Sequence, residues 1–280
     1  MLIFTSPALL RSHLQTLSTH SGSIGLVPTM GALHEGHIEL VKKAVEENTV
    51  TVVSIFVNPI QFTNPDDLTK YPRTLDEDCA LLEAAGCDLV FAPSVEEMYE
   101  QSPSLRLDFG DLEHVMEGAF RPGHFNGVGV VVARLFNMVQ PDKAYFGQKD
   151  LQQVAVIRRL VQDLAFPVTL VVCPTIREAD GLAMSSRNRR LSLQHRAMAP
   201  FIFQSLHEAR EQLSDGQSVE SVKQFIRERF ATRPEFLLEY FEVANAGTLH
   251  VVDQRQDENQ TALCMAAHLG GVRLIDNLVF

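Results

Sequence analysis

The stretch Pro28-Thr29-Met30-Gly31-Ala32-Leu33-His34-Glu35-Gly36-His37 lies between an apolar run and a helical pattern. Residues 23–27 predict a short buried strand, and residues 36–45 predict the start of an amphipathic helix. His34 and His37 are three residues apart and face the same way, beside the N–H groups of a helix start. Such a place attracts phosphate, because backbone donors and the helix dipole both favour an anion. The stretch therefore predicts a phosphate-binding turn.

Each feature of this stretch also has a plainer interpretation when it is taken alone. A single histidine at a helix start is more often a cap or a surface residue than a catalyst. A glycine after a strand more often forms a turn than a phosphate cradle, although Gly31 and Gly36 also allow a ligand to approach the backbone closely. Their combination with a second phosphate-like motif downstream favours the functional interpretation.

The composition is that of an ordinary globular protein with an acidic balance. In 280 residues, 45% are hydrophobic and 21% are charged, which provides a sizeable core and argues against disorder. The formal net charge of -11 argues against non-specific nucleic-acid binding, which needs clustered Lys and Arg. It leaves room for a nucleotide substrate, since that needs only a local nest of donors.

The cysteines and the N-terminus indicate the compartment. Cys79, Cys87, Cys173 and Cys264 form no C-x-x-C pair and no zinc-like grouping, so they are expected to be buried thiols in a reducing environment. The first residues lack a basic segment followed by a long apolar core, and no apolar run reaches membrane-spanning length. We expect a cytoplasmic protein that has no membrane contact.

The first two-thirds of the chain alternates strand-like and helix-like segments. This alternation predicts an α/β fold, a Rossmann-like parallel sheet with crossover helices. Besides the strand and helix at the opening stretch, we predict strands at 49–57, 88–92, 144–147 and 168–172, and helices at 7–17, 75–85, 127–139 and 151–163.

The pattern changes between residues 174 and 186, where polar, turn-forming residues have no apolar period. Beyond them we predict helices at 194–213 and 219–230 and strands at 240–243, 262–268 and 273–275. The chain is therefore predicted to contain a Rossmann-like domain at 1–177 and a smaller α+β lid domain at 178–280, with a hinge near residue 178.

Polar clusters follow the ends of several predicted strands, where an open parallel sheet binds its ligands. They are His34 and His37; Asn58, Gln61 and Phe62; the run Phe146-Gly147-Gln148-Lys149-Asp150; and Ile176 with Met184-Ser185-Ser186-Arg187. Clusters at so many strand ends are hard to attribute to solubility alone.

Three of these clusters, and in addition the run 121–125, leave two interpretations open. Lys149 is either a point charge for a phosphate or a solvated surface lysine. The run 184–187 either offers hydroxyls and a guanidinium to a triphosphate or caps a following helix. Residues 58–62 are either a plain turn or hold Gln61 against a small hydroxylated acid. Residues 121–125 are either a lid loop or a surface turn.

The pattern His-x-Gly-His resembles the signature of the nucleotidyltransferase superfamily. Longer runs resemble the pantoate–β-alanine ligase family, from about residue 25 to 190 and again at 273–277. Those runs are Val27 to His37, Ser54-Ile55-Phe56-Val57-Asn58-Pro59, Tyr71-Pro72-Arg73-Thr74, Arg121-Pro122-Gly123-His124-Phe125, Leu135-Phe136-Asn137, Val139-Gln140-Pro141-Asp142, and Arg177 to Asn188.

The resemblance implies that pantoate and β-alanine are joined with ATP and Mg2+ through pantoyl adenylate, releasing pyrophosphate and AMP. It marks His37 as catalytic, with His34 and Lys149 as further charge-stabilising groups. It implies ATP contacts from Met30, Gly31, Ala32, Leu33, His34, Glu35, Gly36, His37, Gly147, Gln148, Lys149, Asp150, Ile176, Met184, Ser185, Ser186 and Arg187. Gln61 and Gln153 are implied to hold pantoate, with Gln61 also near β-alanine. A homodimer is implied, and the magnesium ligands stay open.

The chain departs from the family pattern at a few positions. Gln148 and Leu151 stand where an acidic and an aromatic residue are expected, Gly129 and Val130 replace Ala-Thr, and Asn245 replaces an acid. Two rival functions are a different adenylyltransferase that stops at a nucleotidyl ester and a non-catalytic nucleotide sensor. The first would release no AMP in response to β-alanine, and the second would bind ATP without releasing pyrophosphate.

Overall fold

Two compact units make up the chain in a computed structural model that describes residues 1–18 and 22–280. The first unit comprises Met1–Gln148 and Val156–Pro174, and the second comprises Lys149–Ala155 and Thr175–Phe280. The longer segment of the second unit begins at Thr175, close to the boundary predicted at 178, and its shorter segment, Lys149–Ala155, falls within the range predicted for the first domain.

The first unit is built on a parallel sheet, as the alternating pattern predicts. Among the described residues its strands are β1 (Leu2–Phe4), β2 (Ile24–Thr29), β3 (Val50–Ile55), β4 (Leu89–Phe91), β5 (Lys143–Gly147) and β6 (Thr169–Cys173). Their order across the sheet is β1-β4-β3-β2-β5-β6. The order reverses direction between β2 and β5, so this pair flanks the topological switch point.

The inner strands form because their residues are apolar on both faces. Leu26 in β2 is fully buried and pairs with Val52 of β3 on one side and Ala144 of β5 on the other. Helices cover both faces of such a sheet, which is why its strands read as continuous apolar runs rather than as alternating ones. The α/β fold class predicted from the sequence is confirmed.

The helices of the first unit cover this sheet. They are α1 (Pro7–Ser18), α2 (Glu35–Glu47), α3 (Pro65–Thr69), α4 (Leu75–Ala84), α5 (Val95–Met98), α6 (Met116–Phe120), α7 (His124–Val139) and α8 (Leu151–Asp163), whose first residues group with the second unit. The predicted helices at 7–17, 75–85, 127–139 and 151–163 are confirmed. Strand β1 and the short helices α3, α5 and α6 were not predicted, since three to five residues carry too little periodicity.

The second unit packs three helices on an antiparallel sheet. Its elements are α9 (Leu193–Met198), α10 (Phe201–Ser214), α11 (Val219–Ala231), β7 (Phe236–Asn245), β8 (Thr261–Leu269) and β9 (Val272–Val279), with strand order β7-β8-β9. The core includes Ile202, Leu206, Ile226 and Met265. The predicted strands are present and longer than the sequence indicates.

The single helix predicted at 194–213 is wrong. The segment forms α9 and α10, with a break at Ala199 and Pro200. Proline lacks the N–H that a continuous helix needs, and its ring clashes with the carbonyl four residues earlier. The apolar period continues across the break, which is why the pattern alone suggested one helix.

The cysteine interpretation is consistent with the structure, in which all four are free thiols and three of them are buried. Burial raises the pKa of the Cys87 thiol to about 12, so this group stays neutral and unreactive. Within the part of the chain that the structure describes, no helix combines the length and the apolar character that crossing a membrane requires.

Candidate active site

The turn between β2 and α2 is held in a left-handed conformation by a buried carboxylate. Gly31 and Ala32 have φ angles of 77° and 51°, and the strain at Ala32 needs compensation. Asp78 of α4 supplies it, because its Oδ2 accepts from the Ala32 N–H at 2.9 Å and its Oδ1 from the Leu33 N–H at 2.7 Å. Asp78 is only 1% exposed, and Thr74 donates to it as well. The buried Asp78 carboxylate thus fixes the conformation of the turn.

His34 and His37 lie together at the start of α2, as the sequence predicts. His34 is the N-cap residue, and the centroids of the two imidazole rings are 4.1 Å apart. The His34 N–H points at Nδ1 of His37 over 3.4 Å, so a neutral His37 ring carries its proton on Nε2. The first N–H groups of a helix have no intrahelical acceptor. This end of α2 therefore offers backbone donors and imidazole donors to an anion.

Gln61 lies next to Met30, which brings the predicted pantoate residue to the predicted ATP turn. It ends a short 3₁₀ turn, Pro59–Gln61, after β3, and is 8% exposed. Its Nε2 donates to the Met30 sulfur at 3.1 Å, while its Oε1 accepts from Asn58 Nδ2 at 3.0 Å. A thioether is a weak acceptor, so a ligand oxygen would be a better partner for this amide nitrogen.

The backbone around Gln61 is fixed by the start of α7. Nδ1 of His124 lies 2.8 Å from the Gln61 carbonyl oxygen, and Arg121 Nη1 lies 3.1 Å from Nε2 of the same ring. Because a guanidinium can only donate, the geometry requires Nε2 to accept and Nδ1–H to donate to Gln61. His124 is 6% exposed, so it fits neither a lid loop nor a surface turn, the two alternatives for 121–125. It instead supports the 3₁₀ turn Pro59–Gln61 through its hydrogen bond to Gln61.

Gly127 and Gly129 in α7 are required by close packing. A Cβ at Gly127 would come within 2.5 Å of the Ile60 carbonyl oxygen, so α7 could not approach the 3₁₀ turn. A Cβ at Gly129 would come within 2.6 Å of Phe109 Cζ. The departure at Gly129 from the family pattern therefore matches the position of Phe109 in this chain.

Gly147 is the last residue of β5, the strand beside β2, and Gln148 follows it, so both lie at the end of the sheet at which the turn from Met30 to His37 begins. Glu35 differs from its neighbours, because its exposed carboxylate pairs with Lys42 along the outer face of α2 at 3.2 Å. The structure thus places the backbone of Glu35, rather than its side chain, near the histidines.

In the second unit, Lys149 is anchored through its backbone. Asn277 of β9 donates from Nδ2 to the Lys149 carbonyl oxygen at 2.8 Å. The Lys149 side chain is 17% exposed, and its Nζ is 3.9 Å from Asp150, a loose contact that leaves the charge available to an anion. Gln153 lies one turn further along α8 and is half-buried.

Arg177 fixes the loop that carries the remaining predicted nucleotide residues. Its guanidinium binds both carboxylate oxygens of Asp276 in β9, at 2.6 and 2.9 Å, and also the carbonyl oxygens of Gly181 and Asn277. The loop doubles back on itself, because the Met184 N–H donates to the Ile176 carbonyl oxygen at 3.0 Å. Burial raises the pKa of Asp276, and the Arg177 charge opposes that effect.

Ser185 and its neighbours form a helix start of their own. The Ser185 side chain accepts from the Arg187 N–H at 3.3 Å and caps a 3₁₀ turn over Ser186–Arg190. Ser185 therefore caps this 3₁₀ turn and not the helix that follows Leu191, which Ser192 caps, and the turn leaves Ser186 7% exposed beside Arg187. A capped helix start that carries a guanidinium remains suited to phosphate.

The structure thus groups the predicted residues in two sets. The first unit brings together the turn 30–37, Gln61, Gly147 and Gln148, and the second brings together Lys149, Asp150, Gln153, Ile176 and Met184–Arg187. The supporting residues Asp78, Arg177, Asp276 and Asn277 are not predicted as site residues from the sequence. The one available signal was a charged and an amide residue, 276 and 277, inside an otherwise apolar strand, which indicates a buried polar contact.

Comparisons with known proteins identify the family of the chain. A family model described as Pantoate-beta-alanine ligase matches residues 2–279. A pantothenate synthetase of Cytophaga hutchinsonii is 49% identical over 280 residues, which cover 100% of this chain and 99% of that protein. A pantothenate synthetase structure from Thermus thermophilus gives a TM-score of 0.93 at 45% identity, with 100% and 99% coverage.

A further solved structure carries ligands. It is a pantoate-β-alanine ligase from Francisella tularensis, complexed with β-γ ATP and β-alanine, with a TM-score of 0.84, 36% identity, and coverage of 100% of this chain and 97% of that one. The family model spans nearly the whole sequence, and the relatives match it from end to end. The chain belongs to the pantoate–β-alanine ligase family.

Proposed function

We propose that this chain condenses pantoate with β-alanine, using ATP, through a pantoyl-adenylate intermediate. The observation that carries the proposal is the pair His34 and His37 at the start of α2, beside a left-handed turn held by Asp78, in a chain of this family. A relative solved with an ATP ligand and β-alanine supports the choice of substrates. Donors held in fixed positions at a helix start suit a reaction in which negative charge builds up on phosphate.

Two displacements make up the proposed reaction. An oxygen of the pantoate carboxylate attacks the α-phosphorus of ATP, the bond from that phosphorus to the bridging oxygen breaks, and pyrophosphate leaves. The β-alanine nitrogen then attacks the activated carbonyl carbon, the carbon–oxygen bond to AMP breaks, and the amine loses a proton to solvent. Positioning and charge stabilisation supply most of the catalysis in such transfers.

The side chains have distinct proposed roles. His37 either donates a hydrogen bond through Nε2–H as a neutral ring or, as the imidazolium, transfers its Nε2 proton to the phosphate, and His34 adds a second donor from the same helix start. Lys149, Ser186 and Arg187 of the second unit bind the triphosphate oxygens as a point charge, a hydroxyl and a guanidinium fork. The Gln61 amide nitrogen binds an oxygen of pantoate in place of the Met30 sulfur, and Gln153 is a second pantoate ligand.

We propose that ATP arrives as its Mg2+ complex, in which the ion neutralises phosphate charge. The phosphate oxygens and water are its proposed ligands, and the described residues contain no group of three or more His, Cys, Asp or Glu that could hold a metal. A homodimer and a cytoplasmic location are further proposals from the family resemblance. Light scattering during size-exclusion chromatography tests the homodimer, and fractionation of cells tests the location.

The test is pyrophosphate release from ATP and Mg2+ with pantoate, first without β-alanine and then with it. We expect a burst of pyrophosphate close to one per site without β-alanine, then steady release of AMP once β-alanine is added. An adenylyltransferase that stops at the nucleotidyl ester would turn over without β-alanine and release no AMP. ATP binding with no pyrophosphate under either condition would contradict the proposal and favour a nucleotide sensor.

A further inference from the structure

Three polar groups surround the buried amide of Asn58, a residue 1% exposed that directly precedes the 3₁₀ turn Pro59–Gln61. Its Nδ2 donates to Gln61 Oε1 at 3.0 Å and to the Gly127 carbonyl oxygen at 3.2 Å. Its Oδ1 accepts from the hydroxyl of Tyr99 at 2.9 Å. All three partners come from different elements, so the amide is held from several directions at once.

These contacts determine which way round the Asn58 and Gln61 amide groups lie. The Gly127 carbonyl can only accept, so it requires the nitrogen end of the Asn58 amide, and the Tyr99 hydroxyl supplies the donor that the oxygen end needs. With Asn58 in this orientation, its nitrogen faces Gln61 and selects the oxygen end of the Gln61 amide. The nitrogen end of Gln61 is thereby turned outward, toward Met30.

We propose that Tyr99 is a positioning residue for the pantoate site, which acts through Asn58 to present the nitrogen end of the Gln61 amide to the substrate. The inference rests on the proposed function, in which Gln61 binds a pantoate oxygen. A carboxylate or hydroxyl oxygen is attracted by an outward N–H and repelled by an outward carbonyl oxygen. The orientation set by Asn58 therefore decides whether Gln61 binds this substrate or repels it.

The surroundings of Tyr99 suit a permanent donor. The residue caps the C-terminal end of α5 and is 7% exposed, with its ring edge-on to Phe56 at 5.9 Å and beneath the Arg134 guanidinium at 5.4 Å. Burial raises the pKa of the Tyr99 phenol, so the hydroxyl keeps its proton. The ring contacts hold the residue in place without the hydroxyl, so its removal tests the hydrogen bond alone.

The test is Tyr99→Phe, with Tyr145→Phe as the matched control. Tyr145 is also a buried tyrosine of the first unit whose hydroxyl meets an asparagine amide, Asn48 Nδ2 at 2.6 Å, but at the C-terminal end of α2. We expect Tyr99→Phe to raise the KM for pantoate about tenfold, because Asn58 Oδ1 loses its donor and the amide pair is released. The KM for ATP should change less than twofold, and Tyr145→Phe should change neither KM.

A double-mutant cycle with Gln61→Ala separates positioning from general damage. If Tyr99 acts through Gln61, adding Tyr99→Phe to Gln61→Ala should raise the KM for pantoate no further. An additive rise, an unchanged KM for pantoate in Tyr99→Phe, or an equal rise in both KM values would overturn the inference. A wild-type protein that does not use pantoate, or a Gln61→Ala variant with a normal KM for pantoate, would instead refute the proposed function, and the inference with it.

Gln61→Glu tests the same orientation if Tyr99→Phe fails to fold. Its inner oxygen can still accept from Asn58, while its outer atom becomes a charged oxygen that repels a carboxylate. We expect a KM for pantoate at least tenfold above that of Gln61→Ala. A KM no higher than that of Gln61→Ala would show that the outward atom does not face the substrate and would overturn the inference.

Discussion

The turn after β2 and the loops of the second unit reach their conformations by different routes. From Ile24 to Glu47, the first region needs one strand, one turn and one helix start, and its two histidines are neighbours because of helical spacing. In the second region, Arg177 binds Asp276 across 99 residues and Lys149 is held by Asn277 across 128 residues. Local patterns therefore specify the histidine pair, whereas a distant strand organises the cationic segments.

The largest effect is expected from a variant that breaks the long-range contact of the second unit, between Arg177 and Asp276. Arg177→Met should reduce the free energy of unfolding by about 3–5 kcal/mol at pH 7, because it leaves the buried Asp276 carboxylate without its charge partner. Burial already raises the pKa of Asp276. A carboxyl with a raised folded-state pKa destabilises the fold when it is charged, so the loss should shrink as the pH falls. Urea unfolding between pH 5 and 8 measures both the loss of stability and its dependence on pH.

Arg196→Met is the control for this prediction. Arg196 also pairs with an aspartate of the second unit, Asp180, but both side chains are partly exposed, at 30% and 42%. Exposed pairs contribute about 0.2–1 kcal/mol, so the control should lose little stability. Equal losses in the two variants would show that the β9 contact does not organise the loop and would remove the contrast between the regions.

The next largest effect is expected from a variant of the histidine pair, and it tests whether His37 takes part in adenylate formation. His37→Ala should lower the rate of adenylate formation by about 10²–10³-fold, the usual cost of removing one donor from a charge-stabilising site. The ring is half-buried in the first turn of α2 and, among the residues that the structure describes, belongs to no apolar core, so the fold should remain. Single-turnover pyrophosphate release measures the rate, and His207→Ala, at an exposed histidine of α10, is the control. Near-normal turnover would remove His37 from the mechanism.

A smaller effect tests whether the histidine turn is purely local. Asp78→Asn turns an amide NH2 toward one of the two backbone donors, Ala32 N–H or Leu33 N–H, which should cost about 1–3 kcal/mol of stability. The KM for ATP should rise with it, because the strained turn loses its lock. Asp76→Asn, at an exposed acid in the same first turn of α4, should change the unfolding midpoint and the KM only slightly. Equal effects would show that the buried contact has no special role.

Asp78 also shows where prediction from the sequence ends. The run Leu75-Asp76-Glu77-Asp78 reads as acids in the first turn of a helix, which the helix dipole explains without any partner. Only the packing of α4 against the β2–α2 turn buries the third acid and gives it two backbone donors. Nothing in the local spacing distinguishes it from the other two.

The parts that could be predicted are those governed by short periods. Apolar runs and 3.6-residue spacing indicated the parallel sheet, the start of α2 and the pairing of His34 with His37. The partners of Tyr99 and Asn277 could not be predicted, because they lie 41 and 128 residues away and depend on which elements pack together. The family resemblance implies which residues bind substrate, and it assigns no role to those that hold them in place.

The smallest expected effect concerns the other end of α2, where Glu47 joins the helix to β5. Hydrogen bonds from Lys143, Lys43 and Tyr145 lower the pKa of Glu47 from 4.5 to about 2. A lowered folded-state pKa gives stability that is complete above pH 4.5 and is lost as the pH falls toward 2. Glu47→Gln should therefore differ from wild type by a constant amount above about pH 5, and the difference should shrink at lower pH.

Urea unfolding from about pH 2 to pH 7 checks this prediction, with Glu46→Gln, at an exposed neighbour, as the control for a simple loss of charge. A difference that does not change with pH would mean that the ion pairs with β5 form no pH-dependent anchor. If the difference behaves as expected while turnover is unchanged, α2 is fixed to the sheet at its C-terminal end independently of the chemistry at its N-terminal end. The histidine pair would then depend on a helix that is held by β5 at its C-terminal end and by Asp78 at the turn before its N-terminal end. Both contacts are long-range, and neither can be seen in the local sequence pattern.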